Sequence, residues 1–508
     1  MKMHRRGFLS GVVSALMAAL IPRSFSSQIV SADTGDPNRP QFHLLPAANW
    51  MNDPCGPIYW KGKYHMFYQY NPNSSVWGDM HWGHAVSPDM VHWSRLPVAL
   101  APTPGGPDEA GCFTGSAVVK DGVATILYTG VVRAPDNQAT IRDGVNSFKE
   151  TQCIATSTDA DLTKWTKQTT PVIARPPAGL KVLGFRDPAP WQDGDWWYVA
   201  LASGIANKGA RVLLYRSKDL RRWNYLHPLA EGTGSGKHAV NPVDSGDMWE
   251  CPDFFPLGDR HVLIYATAGK VHWQSGELDK KAMRFHSQQS GLLDHGSYYA
   301  AKTQLDADGN RILWGWITED RPVEDYRAAG WAGAMSLPRK LTLDKRGRVA
   351  TRVLPAVESL RGPEQNVVSR ANRSENQWSI KNSVFPHLRG EILCEVRTSE
   401  GCKVSLIGSE NGSERKWITV KFDPRQRQHI MVDNQTVPIA LEAIGSLQLR
   451  MFVDGSVLEL FINNREACTK RIYTSAMLAP DIRLDFEGNT TNLKRLSVWQ
   501  YSPIFGNR

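Results

Sequence analysis

Apolar and polar residues alternate in short runs through most of the chain, and Gly, Pro, Asn and Asp cluster between the runs. A period of two predicts β-strands, and helical periodicity is nearly absent. One corner recurs: Asp-(Leu/Met)-x-x-Trp stands at Asp89-Met90…Trp93, Asp161-Leu162…Trp165 and Asp219-Leu220…Trp223, at intervals of 72 and 58 residues. Each copy follows a strand-like run (His84–Ser87, Cys153–Thr156, Val212–Tyr215), and each of those follows an aromatic or β-branched run (His65–Tyr68, Thr125–Tyr128, Trp196–Val199). Two units without the corner centre on His261–Tyr265 and Arg311–Ile317. Five strand–turn–strand–turn units repeating radially predict a five-bladed β-propeller over residues 38–354. A β-sandwich with chance Trp corners is the weaker reading.

Past residue 355 the texture changes. The stretch 355–364 is turn-rich and reads as a linker. Alternating runs resume at Ile392–Val396, then at Leu447–Val453 and Ser456–Ile462 on either side of Asp454-Gly455, a strong hairpin signal. Residues 365–508 are therefore predicted to form a β-sandwich. The expected fold class is all-β, a five-bladed β-propeller followed by a C-terminal β-sandwich.

The N-terminus has a different character. Arg5-Arg6-Gly7-Phe8-Leu9 precedes an apolar run, Gly11–Ile21, that is too short to span a bilayer. Paired arginines before a modest apolar run match a twin-arginine export signal, and Val30-Ser31-Ala32 offers small residues for cleavage. Residues 1–32 are thus expected to be a removable leader, with the body periplasmic or extracellular. An ordinary secretory signal with chance arginines is the alternative.

Composition narrows the function classes. The chain is 41% apolar and 21% charged, as a soluble protein is. Removing residues 1–32, with Lys2, Arg5, Arg6, Arg23 and no acid, takes the formal charge from +9 to +5. The remaining basic residues are interspersed with acids, which excludes a nucleic-acid footprint. The seven cysteines show no Cys-x-x-Cys spacing and there is no His-Glu-x-x-His, so no metal site and no cofactor are expected. A disulfide framework is not expected in a chain this large, although Cys394 and Cys402 could join across a hairpin. Gly232–Lys237 imitates a phosphate loop but is one residue short, and His238 replaces the Ser or Thr. The 18 Trp hint at carbohydrate, although aromatics also fill β-rich cores.

Glycoside hydrolysis needs two carboxyl groups flanking the scissile bond. In a propeller the innermost strands converge on one axis, so acids distant in sequence can meet there. Three acids at the openings of blades one, three and four each sit at a Pro-stiffened bend: Asp53-Pro54, Asp187-Pro188 and Glu250-Cys251-Pro252. Singly, an Asp-Pro is usually a turn. Three at equivalent positions point to chemistry.

These motifs resemble glycoside hydrolase family 32, the invertase, inulinase, levanase and fructan exohydrolase group. The resemblance spans residues 40–500 and rests on Trp50-Met51-Asn52-Asp53-Pro54-Cys55-Gly56, Phe185-Arg186-Asp187-Pro188 and Trp249-Glu250-Cys251-Pro252-Asp253. Phe67–Pro72, Trp82–His84, Phe113–Ser116 and Gly330–Gly333 support it. It implies a retaining, exo-acting β-fructosidase that releases terminal fructose from fructans or sucrose by double displacement. By resemblance, Asp53 is the nucleophile, Glu250 the general acid/base with a raised pKa, and Asp187 the transition-state stabiliser, held ionised by Arg186. Asn52, Gln69, Trp77, Phe113 and Thr114 match the fructose pocket, with Trp50 and Trp331 as stacking walls. Cys55, where many members have Asn, is expected to shape its loop, and Cys251 to tune Glu250. Thr267 and Lys270 stand where plant-like members carry an acid for sucrose, which tilts the expectation toward fructans. A fructosyltransferase with the same site, a propeller hydrolase for another furanose and a non-catalytic carbohydrate-binding propeller are the rivals. No membrane partner is expected once the leader is removed.

Overall fold

Each stretch read as a blade forms a mainly antiparallel sheet, with its first strand toward the axis and its next strand beside it. In the computed structural model the described residues are 36–505, apart from 143–146, 237–239, 367–376, 381–387, 399, 411–412, 427, 440–444, 474–481 and 489–491. The expected leader and Lys237 lie outside them.

The innermost strands are Asn49–Trp60, Gly111–Lys120, Val182–Asp193, Glu250–Leu257 and Tyr298–Leu305. The units without a Trp corner are the second strands of blades four and five, Arg260–Thr267 and Arg311–Ile317. The short strand Trp331–Ala332 leaves the fifth-blade segment and pairs in parallel with Asn49–Trp50, which joins the end of the ring to its beginning. Gly333 makes this closure possible: it lies at φ 78°, and a Cβ there would run into the Met51 carbonyl.

The corners have a clear physical basis. Asp89 Oδ1 accepts the amides of Val91 and His92 at 2.9 and 2.8 Å, and Asp219 Oδ1 accepts those of Arg221 and Arg222 at 2.9 and 2.8 Å. The next residue, Met90 or Leu220, turns left-handed and buries its side chain. In the second copy the capping acid is Asp159, not Asp161: its Oδ2 accepts the Thr163 amide at 2.7 Å, while Leu162 takes the left-handed place.

The C-terminal part is a sandwich of two six-stranded sheets. One sheet, with Arg389–Arg397, Ser446–Asp454, Val457–Ile462 and Leu493–Gln500, is covered on both faces. Ile392, Cys394, Leu449 and Met451 meet the sister sheet, whereas Leu393, Phe452, Phe461 and Trp499 pack on the propeller. Burial on both sides explains why Val457–Ile462 is apolar on both faces apart from Glu459, which is spent on a buried charged network. Cys394 and Cys402 do not form a hairpin: their strands belong to opposite sheets, and both thiols are free. The stretch expected to be a linker contains a 3-10 helix, Pro355–Leu360, whose Val357 and Leu360 are buried in the shared core.

A charged network also crosses the seam, fully buried. His43 bonds Asp454 through Nδ1 at 2.8 Å and Glu459 through Nε2 at 3.0 Å. Arg339 reaches Glu459 and Asp294. Opposite charges compensate one another here, so removing any one partner strands a buried charge.

Candidate active site

Of the acids predicted to sit on bends before strands, Asp53 and Asp187 sit inside them and Glu250 is the first residue of its strand. Every innermost strand breaks its ladder at the same level: between Met51 and Pro54, Cys112 and Gly115, Arg186 and Ala189, Glu250 and Asp253, and Tyr299 and Lys302. A bulge leaves residues unpaired and re-aims side chains. Proline has no amide to donate, so Pro188 and Pro252 fit inside their bulges without losing a ladder bond, while Pro54 stands at the edge of its own, opposite Tyr68. Asp187 at φ 61° and Cys251 at φ 49° occupy left-handed positions within their bulges. The ring of five bulges brings the three acids together.

Asp53 is half-buried, and each carboxylate oxygen accepts a bond. Asn52 Nδ2 donates to Oδ1 at 2.9 Å and Thr114 Oγ1 to Oδ2 at 2.7 Å. Asn52 is held in turn by Trp50, whose Nε1 donates to Asn52 Oδ1 at 2.7 Å. The Cys251 thiol lies 3.5 Å from Asp53 Oδ2, and the Cys251 amide donates to Asp187 Oδ2 at 2.8 Å. Cys251, the neighbour of Glu250, therefore links the two other acids. Cys55 lies not in the expected loop but in the innermost strand beside a register shift, 3.6 Å from the Asp53 carbonyl oxygen and 3.6 Å from Gln69 Nε2. Burial pushes the Cys251 thiol well up, so it is uncharged.

Asp187 is 3% exposed. Burial is the main cause that lifts its carboxyl to about 7, against the pull of Arg186 and with a further push from Glu250. Its own amide donates to Thr129 Oγ1 at 2.9 Å.

Arg186 does not clamp Asp187. Its Nε and one terminal nitrogen donate to Glu250 Oε1 at 3.3 and 2.9 Å, and the other donates to Glu150 Oε1 at 2.9 Å. Burial disfavours the guanidinium charge, but Glu150, Glu250 and Asp187 raise its pKa above the ordinary value. Tyr299 OH donates to Glu250 Oε2 at 2.8 Å. Glu150 and Tyr299 were missed in the sequence. Neither belongs to a local motif, and only the ring brings their blades beside Arg186 and Glu250.

The pocket residues divide. Gln69 donates to the Cys112 carbonyl at 2.9 Å, next to Phe113 and Thr114. Trp77 and Phe113 meet edge to face, 5.8 Å apart, and both keep part of their surface open. Trp331 is a correction. It is 1% exposed, bonds Asp36 Oδ2 through Nε1 at 2.8 Å and has the Arg321 guanidinium over its ring at 4.3 Å. Its face is not available to a sugar. Trp50, 7% exposed, packs against Trp316 and Tyr326 and serves mainly to hold Asn52. Thr267 Oγ1 and Lys270 Nζ are both spent on backbone carbonyls. Ser235, in the glycine-rich loop, bonds Asp247.

Among the described residues no group of three His, Cys, Asp or Glu side chains is arranged to hold a metal ion. The sequence family of glycosyl hydrolases family 32 matches with its N-terminal domain at residues 43–352 and its C-terminal domain at 356–500. The sucrose-6-phosphate hydrolase of Escherichia coli is 37% identical over 467 residues, covering 85% of this chain and 89% of its own. The cell-wall β-fructofuranosidase of Zea mays is 34% identical, covering 91% and 90%. Among solved structures, a mutant of the Bombyx mori GH32 β-fructofuranosidase in complex with sucrose aligns with a TM-score of 0.73 at 29% identity, over 92% of this chain and 95% of its own. The fructan 1-exohydrolase IIa of Cichorium intybus shares the fold with a TM-score of 0.76 at 24% identity, over 92% and 98%. Matches to both domains, relatives aligned over most of their length and three acids on one ring of bulges lead to one statement: the chain belongs to glycosyl hydrolase family 32 and is a glycoside hydrolase.

Proposed function

We propose that the protein is a retaining β-fructosidase that removes a terminal fructosyl unit by double displacement. The observation that carries this reading is the unequal support of two acids. Asp53 accepts neutral donors, Asn52 on one oxygen and Thr114 and the Cys251 thiol on the other, which suits an aimed, ionised nucleophile. Glu250 is bonded by Arg186 on one oxygen and by the Tyr299 phenol on the other, so its proton is governed by side chains rather than by solvent, as general acid/base work requires. Asp53 attacks the anomeric carbon while Glu250 protonates the departing oxygen. Glu250 then takes a proton from the water that releases fructose. Asp187, ionised with substrate bound, holds fructose hydroxyls and balances the positive charge that develops beside it.

Sucrose is the favoured substrate. The relatives named above include a β-fructofuranosidase and a sucrose-6-phosphate hydrolase, and Thr267 and Lys270, tied to backbone carbonyls, no longer argue for fructans. Exo action on levan or inulin is a further part of the proposal, as is export through the leader at residues 1–32, tested by fractionating cells that express the full chain.

The test is a product profile from sucrose, inulin and levan, with methanol added in a parallel run. Free fructose and methyl β-fructofuranoside are expected. The α-methyl product would overturn retention, longer oligomers from sucrose would make the protein a transferase, and no product from any of the three would overturn the reading.

A further inference from the structure

Glu150 lies in the strand Ser147–Ser157 of blade two, is 0% exposed and takes no part in the reaction just described. Both carboxylate oxygens are nevertheless committed to the neighbouring motif. Oε2 accepts the Phe185 amide at 2.6 Å, and Oε1 accepts Arg186 at 2.9 Å. The other edge of the same guanidinium donates twice to Glu250 Oε1. Carboxylate, guanidinium and carboxylate thus stand in line across three blades.

This line bears on a conflict in the site. An acid facing a whole positive charge is held ionised and cannot serve as a proton donor. An arginine shared between two carboxylates offers each a weaker pull, and the Glu150 charge itself disfavours a second anion at Glu250. The other groups around Glu250 do not replace it. Asp187 pushes on Glu250 as well, but its charge is turned to the bound sugar, as is that of Asp53; Tyr299 is a neutral donor, and buried Cys251 is an uncharged thiol. The Lys302 ammonium donates to the Pro252 carbonyl at 2.8 Å and adds positive charge.

We propose that Glu150 is a positioning residue that draws on Arg186 from behind and so lets Glu250 keep its proton at working pH. The inference rests on Glu250 being the general acid. It is tested in the full chain with Glu150→Gln, which keeps the size and the acceptor atom but removes the charge. The alkaline limb of kcat/KM on sucrose should move about one unit to lower pH, roughly a tenfold loss above the limb, while the acid limb stays in place. Hydrolysis of a nitrophenyl β-fructofuranoside, whose leaving group needs little protonation, should stay within about twofold of the parent. Glu150→Asp keeps the charge and should keep the parent limb. An unmoved limb in Glu150→Gln, equal losses on both substrates, or a limb displaced as far in Glu150→Asp would each overturn the proposal. If Glu150→Gln does not fold, Glu150→Asp decides alone, a displaced limb overturning the proposal. Glu250→Gln separates the underlying reading: if it hydrolyses the nitrophenyl fructoside no better than sucrose, Glu250 is not the acid, whatever Glu150 does.

Discussion

Replacing Asp187 by Asn should stabilise the protein while disabling it. Asp187 is buried, and its carboxyl is lifted from an ordinary 3.8 to about 7, mainly by burial. Between these values the folded state holds a proton that the unfolded chain has released. The stability carried by the protonated form is therefore complete below about pH 4 and is lost as pH rises through 7. The gap of about three units corresponds to at most about 4 kcal/mol, and local relaxation makes about 1–4 kcal/mol the expected range. Asn carries no charge to bury, retains an oxygen for the Cys251 amide and accepts the left-handed backbone at φ 61° more readily than most residues. Thermal unfolding of parent and Asp187→Asn, measured at pH 4 and pH 8, should show the variant ahead at pH 8 and the two nearly equal at pH 4. Hydrolysis should fall by about two orders of magnitude or more, as when a group that stabilises transition-state charge is lost. A variant no more stable than the parent at pH 8, or a gap that does not change with pH, would refute the claim that the site buries a carboxylate at a cost.

Asp53→Ala and Glu250→Ala should each lower kcat by at least about three orders of magnitude, and near-normal steady-state turnover in either would remove it from the reaction. Azide, as an external nucleophile, should partly restore turnover in Glu250→Ala only on substrates with good leaving groups, which product analysis would detect. His43 is fully buried, a condition that by itself lowers its pKa, but its bonds to Asp454 and Glu459 outweigh this and raise it above 6.5. Its contribution to stability is thus complete below pH 6.5 and lost as pH rises through the elevated value, and urea denaturation across pH 6 to 10 should show this decline in the parent. His43→Ala should cost about 3–5 kcal/mol at pH 6, since two carboxylates lose their partner, and a cost below 1 kcal/mol would contradict the network. All seven cysteines are buried and free, with burial holding Cys153 and Cys402 at about 11. Titration with a disulfide reagent should find none reactive in the native protein and seven after unfolding, whereas fewer than seven would reveal a disulfide.

What could be read from the sequence divides by the range of the interactions involved. The Asp-x-x-x-Trp corners are local: Asp89 and Asp219 cap amides two and three residues on, and in the second copy Asp159 caps one four residues on, so three blades announce themselves within a few residues each. The acids were also visible, but for a partly different reason. Proline beside Asp53 and Asp187 suggests bends, whereas the structure puts Pro188 inside a bulge, where its position has no ladder partner, and Pro54 at the edge of one, opposite Tyr68. Either origin places an acid at the inner end of a blade, so the position was legible although the geometry was not. Arg186 shows where local reading fails. Its neighbour in sequence is Asp187, yet along a bulged strand adjacent side chains diverge, and the guanidinium finds Glu150 and Glu250 on the flanking blades. Trp331 fails in the same way, because a glycine-flanked tryptophan looks like a sugar platform until the closing strand packs it beneath Arg321. The nucleophile's support is encoded within a few residues on each of two strands, in Trp50, Asn52 and Thr114, whereas the acid's support is assembled from three blades. Family likeness therefore transfers more safely to Asp53 than to the tuning of Glu250, where this chain's own residues, Glu150 first among them, set the working pH.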